Sequence, residues 1–275
     1  MAQPYQWLLG LPNPMASLER FPRRAGVATL VARTLLSAQM LRVTLRSEGF
    51  GESWPIEQPG EIITLLFVPP DEPIVLPLRG WMFPPGTQPQ EWRNYTVRRH
   101  RRERGEIDVD VVLHESPGPA STWAAQAPLG AGVGYAGPRV DFAPRDDADW
   151  LLLCGDESAL PAIAAILETP PAAAGVVAVI EVPDATAEVP LAVPPGGQLH
   201  WVHRDGAPPA TTAHLADALR ALPLPAGTGQ AWGAAESRVA RDLRTVLRDE
   251  RGMPRTRAHA RGYWLRTGDW LDDED

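Results

Sequence analysis

Along the chain, the spacing of apolar and polar positions changes character once, near residue 142. Before that point the period is two. Residues 27–37 and 40–47 carry β-branched and apolar side chains and read as two strands joined through Ser37-Ala38-Gln39. The run Ile62-Ile63-Thr64-Leu65-Leu66-Phe67-Val68 is a buried strand bounded by Pro59-Gly60 and Pro69-Pro70. A proline-rich loop, 69–89, leads to the extended stretch Arg93-Asn94-Tyr95-Thr96-Val97-Arg98. In residues 106–114 the alternation is strict at first, with Ile107, Val109, Val111 and Leu113 on one face. Short antiparallel strands separated by Gly/Pro turns predict a small antiparallel β-barrel over residues 26–145. Residues 1–25, rich in proline and without periodicity, read as an extended lead-in.

After Asp141 strands and helices alternate. Trp150-Leu151-Leu152-Leu153-Cys154 is apolar throughout, as expected of a strand covered on both faces. A helix over 159–168 follows, with Leu160, Ile163, Ala164 and Leu167 as its stripe and Pro161 in its first turn. Strands are predicted over 175–182, 198–203 and 229–233, helices over 212–222 and 237–251, and a last strand over 257–266 before an acidic tail. This order predicts an α/β domain with a parallel sheet over residues 146–275.

Composition narrows the chemistry. The chain has 275 residues and a formal net charge of −8, which argues against non-specific nucleic-acid binding. No apolar run reaches the ~18 residues that suggest a membrane span. The single cysteine, Cys154, excludes an intrachain disulfide and a cysteine-rich metal site. With no basic, apolar leader at residues 1–10, a cytoplasmic location is expected. All 26 basic residues are arginine, so lysine chemistry, including Schiff bases and a Walker lysine, is excluded. The six histidines form no HxxxH or HExxH pattern, and no protein-held metal is expected. A GxSxG elbow is also absent.

Candidate sites then emerge by position. In Arg93–Arg98 strand alternation puts Arg93, Tyr95 and Val97 on one face and Asn94, Thr96 and Arg98 on the other, a set suited to a planar anion such as a flavin nucleotide. Taken alone, a solvent-facing strand with ordinary charges is the favoured reading. The cationic turn 99–105 can attract an anion or simply blunt a hairpin end, and the second reading is favoured. Gly118-Pro119-Ala120-Ser121-Thr122-Trp123-Ala124 offers a helix start to a pyrophosphate, or plain turn chemistry. His114, at a strand end, is a structural or solvated histidine or, less favoured before context, a ligand contact. Gly155-Asp156-Glu157-Ser158 occupies the first strand-to-helix turn of the α/β half, where dinucleotides bind at strand ends, although it is no GxGxxG. Its Asp and Ser equally suit helix capping. Glu181 and Asp184 after the second strand favour a ribose hydroxyl, whereas Arg204 after the third favours a 2′-phosphate, so these cues oppose each other.

Taken in order, these blocks resemble the siderophore-interacting proteins, flavin-dependent ferric-siderophore reductases of the ferredoxin reductase superfamily. The resemblance is carried by Arg93–Arg98, Asp108-Val109-Asp110-Val111-Val112-Leu113-His114, the Gly118–Ala124 block and Gly137-Pro138-Arg139. It continues through Gly155-Asp156-Glu157-Ser158-Ala159-Leu160-Pro161-Ala162-Ile163, Trp232-Gly233-Ala234-Ala235-Glu236 and Gly262-Tyr263-Trp264. It implies an FAD-binding first domain. Arg93, Tyr95, Thr96 and Val97 would lie at the flavin, with Tyr95 and Thr96 nearest its reactive ring. His114, Gly118, Pro119, Ala120, Trp123 and Ala124 would hold the pyrophosphate and adenosine end. Gly155, Asp156, Glu157, Ser158 and Glu236 would receive NADH or NADPH, with Tyr263 and Trp264 closing over the rings or serving as core aromatics. Arg98, Arg139 and Arg266 are the candidate contacts to an anionic ferric siderophore. The family often places a lysine there; here arginine must serve, or the chelate preference differs. Ferredoxin is an alternative donor. A siderophore-binding flavoprotein with little turnover and a flavin oxidoreductase with another acceptor are the rival readings.

Overall fold

The computed structural model describes residues 24–55, 58–69, 71–78, 83–87, 90–113, 118–169 and 175–266. The chain divides into two compact units, with the boundary between Phe142 and Ala143.

The N-terminal unit is a seven-stranded antiparallel sheet. Its strands are β1 (Arg24–Ser37), β2 (Met40–Arg46), β3 (Glu61–Phe67), β4 (Glu91–Thr96), β5 (Arg99–Arg101), β6 (Glu106–Val112) and β7 (Gly132–Val140). Their order is β4-β3-β7-β1-β2-β6-β5. The two outermost strands, β4 and β5, are successive stretches of one segment. Between them the Val97 N–H donates to Glu61 O of β3 at 2.8 Å and the Arg98 N–H to Asp108 O of β6 at 2.9 Å. The segment thus passes from one edge of the sheet to the other, giving a barrel-like curl around an apolar interior. That interior contains Leu30, Val43, Leu45, Ile63, Leu65, Ile107 and Val109 with the aromatic group Phe50, Trp54 and Tyr135. Helix α1 (Pro119–Gln126) lies against β2, β3, β4 and β6 and adds Ala120 and Ala124 to the same core.

Two strands here differ from expectation. β7 was not anticipated, because glycine at 132, 134 and 137 weakens the strand signal. It is nonetheless central, paired with β1 and β3. A Cβ at Gly134 would come within 2.8 Å of Ile74 and 3.1 Å of Leu66, so close packing requires the glycine. β5 begins inside the stretch read as a turn, and the reversal is confined to the 3-10 turn Arg102–Arg104 and Gly105 (φ 58°). Ion pairs explain the extra strand. Arg101 makes a two-bond contact with Asp108 (2.7 and 2.8 Å) and reaches Glu106 at 3.1 Å. Arg46 reaches Glu106 at 2.6 Å, while Arg42 grips Asp110 at 2.6 and 2.7 Å. β2, β5 and β6 are therefore laced by alternating charges on the face opposite the core.

The C-terminal unit is a five-stranded parallel sheet of β8 (Trp150–Gly155), β9 (Gly175–Val182), β10 (Gln198–His203), β11 (Gly229–Glu236) and β12 (Ala258–Trp264), ordered β10-β9-β8-β11-β12. Its helices are α2 (Leu160–Glu168), α3 (His214–Ala221) and α4 (Ser237–Thr245), the last running into a π-helical turn, Val246–Glu250. Leu152 and Cys154 of β8 join a core with Leu215, Leu219, Leu243 and Leu247. Leu151 and Leu153, on the other face, are equally buried. Both faces are covered, which is why β8 shows no alternation. Among the described residues no helix is long and apolar enough to cross a membrane.

Candidate functional site

In the N-terminal unit the candidate residues gather around β4 and α1. Tyr95 rests its ring against the barrel core, and Val97 lies within it. Burial pushes the Tyr95 phenol up, against the pull of Arg93, so it keeps its proton and can donate a hydrogen bond. The Arg93 side chain is 52% exposed and is held by Glu91 at 3.0 Å and the Trp92 carbonyl at 2.7 Å. Thr96 is buried and pairs across β3 with Ile62, whose other neighbour is Arg139 on β7. Arg139, half-buried, is thus two strands from Thr96 in the same register row.

Helix α1 starts at Gly118, which caps it without a side-chain bond, and Pro119 fills its first position. Ala120 and Ser121 follow, with N–H groups that have no partner inside the helix. Among the described residues a Cβ at Gly118 would meet nothing within 4 Å. Trp123 stacks edge-on against Phe67 at 5.8 Å and Ala124 is buried. An exposed guanidinium, a protonated phenol and an uncapped helix start suit a long, anionic, aromatic molecule such as FAD. His114 lies outside the described residues.

Arg98 lies deeper than the other two candidate arginines, Arg139 and Arg266. Its side chain is 7% exposed and sits 3.9 Å from Asp110, within the charged lacing of β2, β5 and β6. An anionic chelate that reaches Arg98 would therefore meet Asp110 beside it. The turn arginines Arg101 and Arg104 are likewise paired, both with Glu106 at 3.1 Å.

In the C-terminal unit the strand order reverses direction between β8 and β11, the switch point at which open α/β sheets bind ligands. Asp156 stands there, just past β8. Its carboxylate accepts from the Ser158 N–H (2.9 Å) and hydroxyl (2.5 Å), the Glu236 N–H (3.0 Å) and the Trp264 indole N–H (2.9 Å). One side chain thereby ties together the ends of β8, β11 and β12. Burial, then the charge of Glu157, pushes its pKa up to about 6 against the pull of these donors. Gly155 is needed for close approach, since a Cβ would sit 2.2 Å from Ala234 O and 2.5 Å from Ala159 Cβ.

The remaining acidic candidates have their carboxylates engaged. Glu157 pairs with Arg204 through two bonds of 2.7 and 2.8 Å. Glu236 caps α4, accepting from the Arg238 N–H at 2.7 Å and the Val239 N–H at 3.3 Å. Tyr263 is half-buried, 6.3 Å edge-on from Trp232, and Trp264 is half-buried on Asp156. Arg266 is exposed, its N–H 3.4 Å from Glu236. Cys154 is fully buried and its thiol is pushed up to about 12, which leaves it inert. Sequence reasoning missed the Asp156–Trp264 bond and the Glu157–Arg204 pair. Each joins residues from separate strand ends, and no local spacing signals it. Among the described residues no group of His, Cys, Asp and Glu could hold a metal ion.

Comparison with known proteins agrees with this architecture. Residues 29–142 match the siderophore-interacting FAD-binding domain, and residues 148–267 match the siderophore-interacting protein domain. The Ferric vibriobactin reductase ViuB of Vibrio cholerae is 34% identical over 244 residues, covering 86% of this chain and 88% of that protein. A siderophore utilization protein from T. fusca superposes with a TM-score of 0.81 at 33% identity, over 92% of this chain and 97% of that one. The fold extends to the ferredoxin reductase of carbazole 1,9a-dioxygenase, at a TM-score of 0.63 and 16% identity over 88% of this chain and 68% of that one. With a seven-stranded antiparallel unit that matches an FAD-binding domain and a parallel α/β unit behind it in the chain, this protein belongs to the siderophore-interacting protein family.

Proposed function

We propose that the protein is a cytoplasmic, FAD-dependent reductase of ferric siderophores that draws electrons from NADH or NADPH. The observation that carries the reading is the family match across both units together with a relative named as a ferric-siderophore reductase. The donor sets described above support it.

FAD, when bound, supplies the conversion of a two-electron hydride donor into single-electron delivery. The chain's own part is to hold and shield. The Tyr95 ring offers a rigid apolar surface and its protonated phenol a hydrogen-bond donor. Thr96, next along the strand, adds a buried hydroxyl, and Arg93 presents a charge to the phosphate arm. The start of α1, from Gly118 to Ala120, contributes backbone N–H groups, with Trp123 and Ala124 packing behind them. In the other unit, Gly155, Asp156 and Ser158 shape the switch point for the nicotinamide dinucleotide, and Tyr263 and Trp264 flank it. Glu157 and Glu236 act on that site through the structure they hold. Arg98, Arg139 and Arg266 are the arginines assigned to an anionic ferric chelate. Iron arrives inside its chelator. Hard oxygen donors hold Fe(II) far less well than Fe(III), so reduction is release and no protein ligand is required.

An anaerobic assay of Fe(II) release from a panel of ferric siderophores, with NADH, NADPH or reduced ferredoxin as donor, tests the proposal. Release with a nicotinamide donor is the expected result. A colourless protein that cannot be loaded with FAD would overturn the reading. Bleaching by ferredoxin alone would overturn the donor assignment.

A further inference from the structure

The ends of β8, β9 and β10 converge on one buried ion cluster. Glu157 follows β8, Glu181 lies at the end of β9 and Arg204 follows β10. Arg204 directs both terminal nitrogens at Glu157, at 2.7 and 2.8 Å, and one of them also reaches Glu181 at 3.4 Å. Side-chain exposure is 3% for Arg204, 12% for Glu157 and 6% for Glu181. The Arg204 and Asp205 N–H groups donate to Val182 and Pro183 carbonyls, so the arginine's backbone is fixed to β9.

This cluster stands where a dinucleotide's adenosine ribose is read. In open parallel sheets, the acidic residue at the end of the second strand meets the 2′ position. Here that residue is Glu181. A 2′-phosphate needs a guanidinium that can turn toward it, but Glu157 already engages both terminal nitrogens of Arg204, and the remaining Nε is buried. With Glu181 ionised the trio carries a net charge of −1; with Glu181 protonated it is neutral. In neither state does a positive charge remain. The loops around it do not add one cleanly. Asp184, Glu188 and Asp205 are acidic, and His203 is bound to Glu188 at 2.7 Å. His214, exposed, turns Nδ1 toward the His203 carbonyl at 3.3 Å. Among the described residues the Glu181 carboxylate is engaged by Arg204 and Thr212, each at 3.4 Å, so it keeps lone pairs to accept a hydroxyl.

We infer that the chain selects NADH over NADPH, with Glu181 accepting the ribose 2′-hydroxyl and the Glu157–Arg204 pair denying a 2′-phosphate its counter-ion. The inference rests on the nicotinamide-donor reading above. Two measurements on the full-length, FAD-loaded protein test it. Anaerobic bleaching of the flavin gives kcat/KM for each donor, and calorimetry compares ADP-ribose with 2′-phospho-ADP-ribose. NADH should lead by roughly tenfold or more, with ADP-ribose binding the tighter of the pair. Glu181→Gln should narrow the ratio by about three- to tenfold, because one repelling charge is gone. Equal or inverted preference in the wild type overturns the inference, and this comparison depends on no variant folding. An unchanged ratio in a Glu181→Gln protein with native circular dichroism overturns the assignment to Glu181. If neither donor bleaches the flavin and neither ADP-ribose binds, the donor reading falls and this inference with it. Discriminating ADP-ribose binding without bleaching supports the inference while removing NADH as reductant.

Discussion

Asp156 concentrates more of the C-terminal unit on one side chain than any motif around it suggests. Four donors converge on its two oxygens, from Ser158, Glu236 and Trp264. Asparagine there offers only one acceptor oxygen, and its NH2 group would face N–H donors. Asp156→Asn should therefore lower stability by roughly 2–3 kcal/mol, read by urea unfolding at pH 8. The pH dependence has a definite sign. The folded carboxyl is pushed up to about 6, above its unfolded value, by burial and Glu157. In that range the folded state binds more protons than the unfolded one, so Asp156's contribution falls as pH rises from about 4 to about 6 and is level beyond. The stability advantage of wild type over Asp156→Asn should shrink across that window; an advantage that grows with pH would refute the shift. Tyr95 is the corresponding test in the N-terminal unit. Tyr95→Ala removes a ring worth about 1 kcal/mol of contact, so FAD affinity should weaken about fivefold, whereas Tyr95→Phe keeps the ring and most of the affinity. Retention of FAD by Tyr95→Ala through gel filtration and dilution, as in wild type, would refute its placement at the flavin.

At the scale of elements, β5 shows how charge substitutes for hydrophobic patterning. Its three residues, Arg99-His100-Arg101, carry no apolar signal, and they pair with Asp108, Ile107 and Glu106 of β6. Burial raises Glu106 and Asp108, but bonds from Arg46, Arg101 and Thr44 more than offset this and hold both carboxyls below the usual range. Their contribution is present above the unfolded carboxylate pKa and is lost as pH falls toward the folded values. Arg101→Met should leave two buried acids with fewer partners, lower stability by about 1–3 kcal/mol at neutral pH and flatten the acid side of the stability profile. Chemical unfolding of both proteins between pH 3 and 7 checks this, and identical acid limbs would contradict it. The same element explains the limits of the sequence. Where side chains alternate or run apolar, as in 62–68, 175–182 and 198–203, the strands fall almost where periodicity puts them. Where packing needs glycine, as at Gly134, or where ions replace apolar contacts, as at Arg101, the pattern is silent. The candidate site follows the same rule. Local blocks locate β4, α1 and the Gly155–Ser158 turn. Apart from Ser158, the partners of Asp156 lie 80 and 108 residues away and that of Glu157 lies 47 away, so the opposing cues of Glu181 and Arg204 are intelligible only as one cluster.

For the molecule as a whole, the chain holds two separate cores, one around Phe50, Trp54 and Tyr135, the other around Leu152, Val179 and Leu243. Each unit has well over a hundred residues, enough to bury its own apolar surface. The proposed ligands are divided in the same way, FAD to the N-terminal unit and the nicotinamide donor to the C-terminal one. Binding stabilises only the state that binds, by RT ln(1 + [L]/Kd), or about 2.7 kcal/mol at a ligand concentration one hundred times Kd. For a unit of this size that raises a melting temperature by on the order of 10 °C. Scanning calorimetry of the FAD-free protein should accordingly show two overlapping transitions. Adding FAD should raise one of them by that amount, and adding ADP-ribose should raise the other. The outcome separates this arrangement from its alternatives. A single transition that moves as a block with either ligand would mean that the two cores unfold together. Both ligands raising the same transition would mean that the division of ligands between the units is wrong, whatever the acceptor of the electrons proves to be.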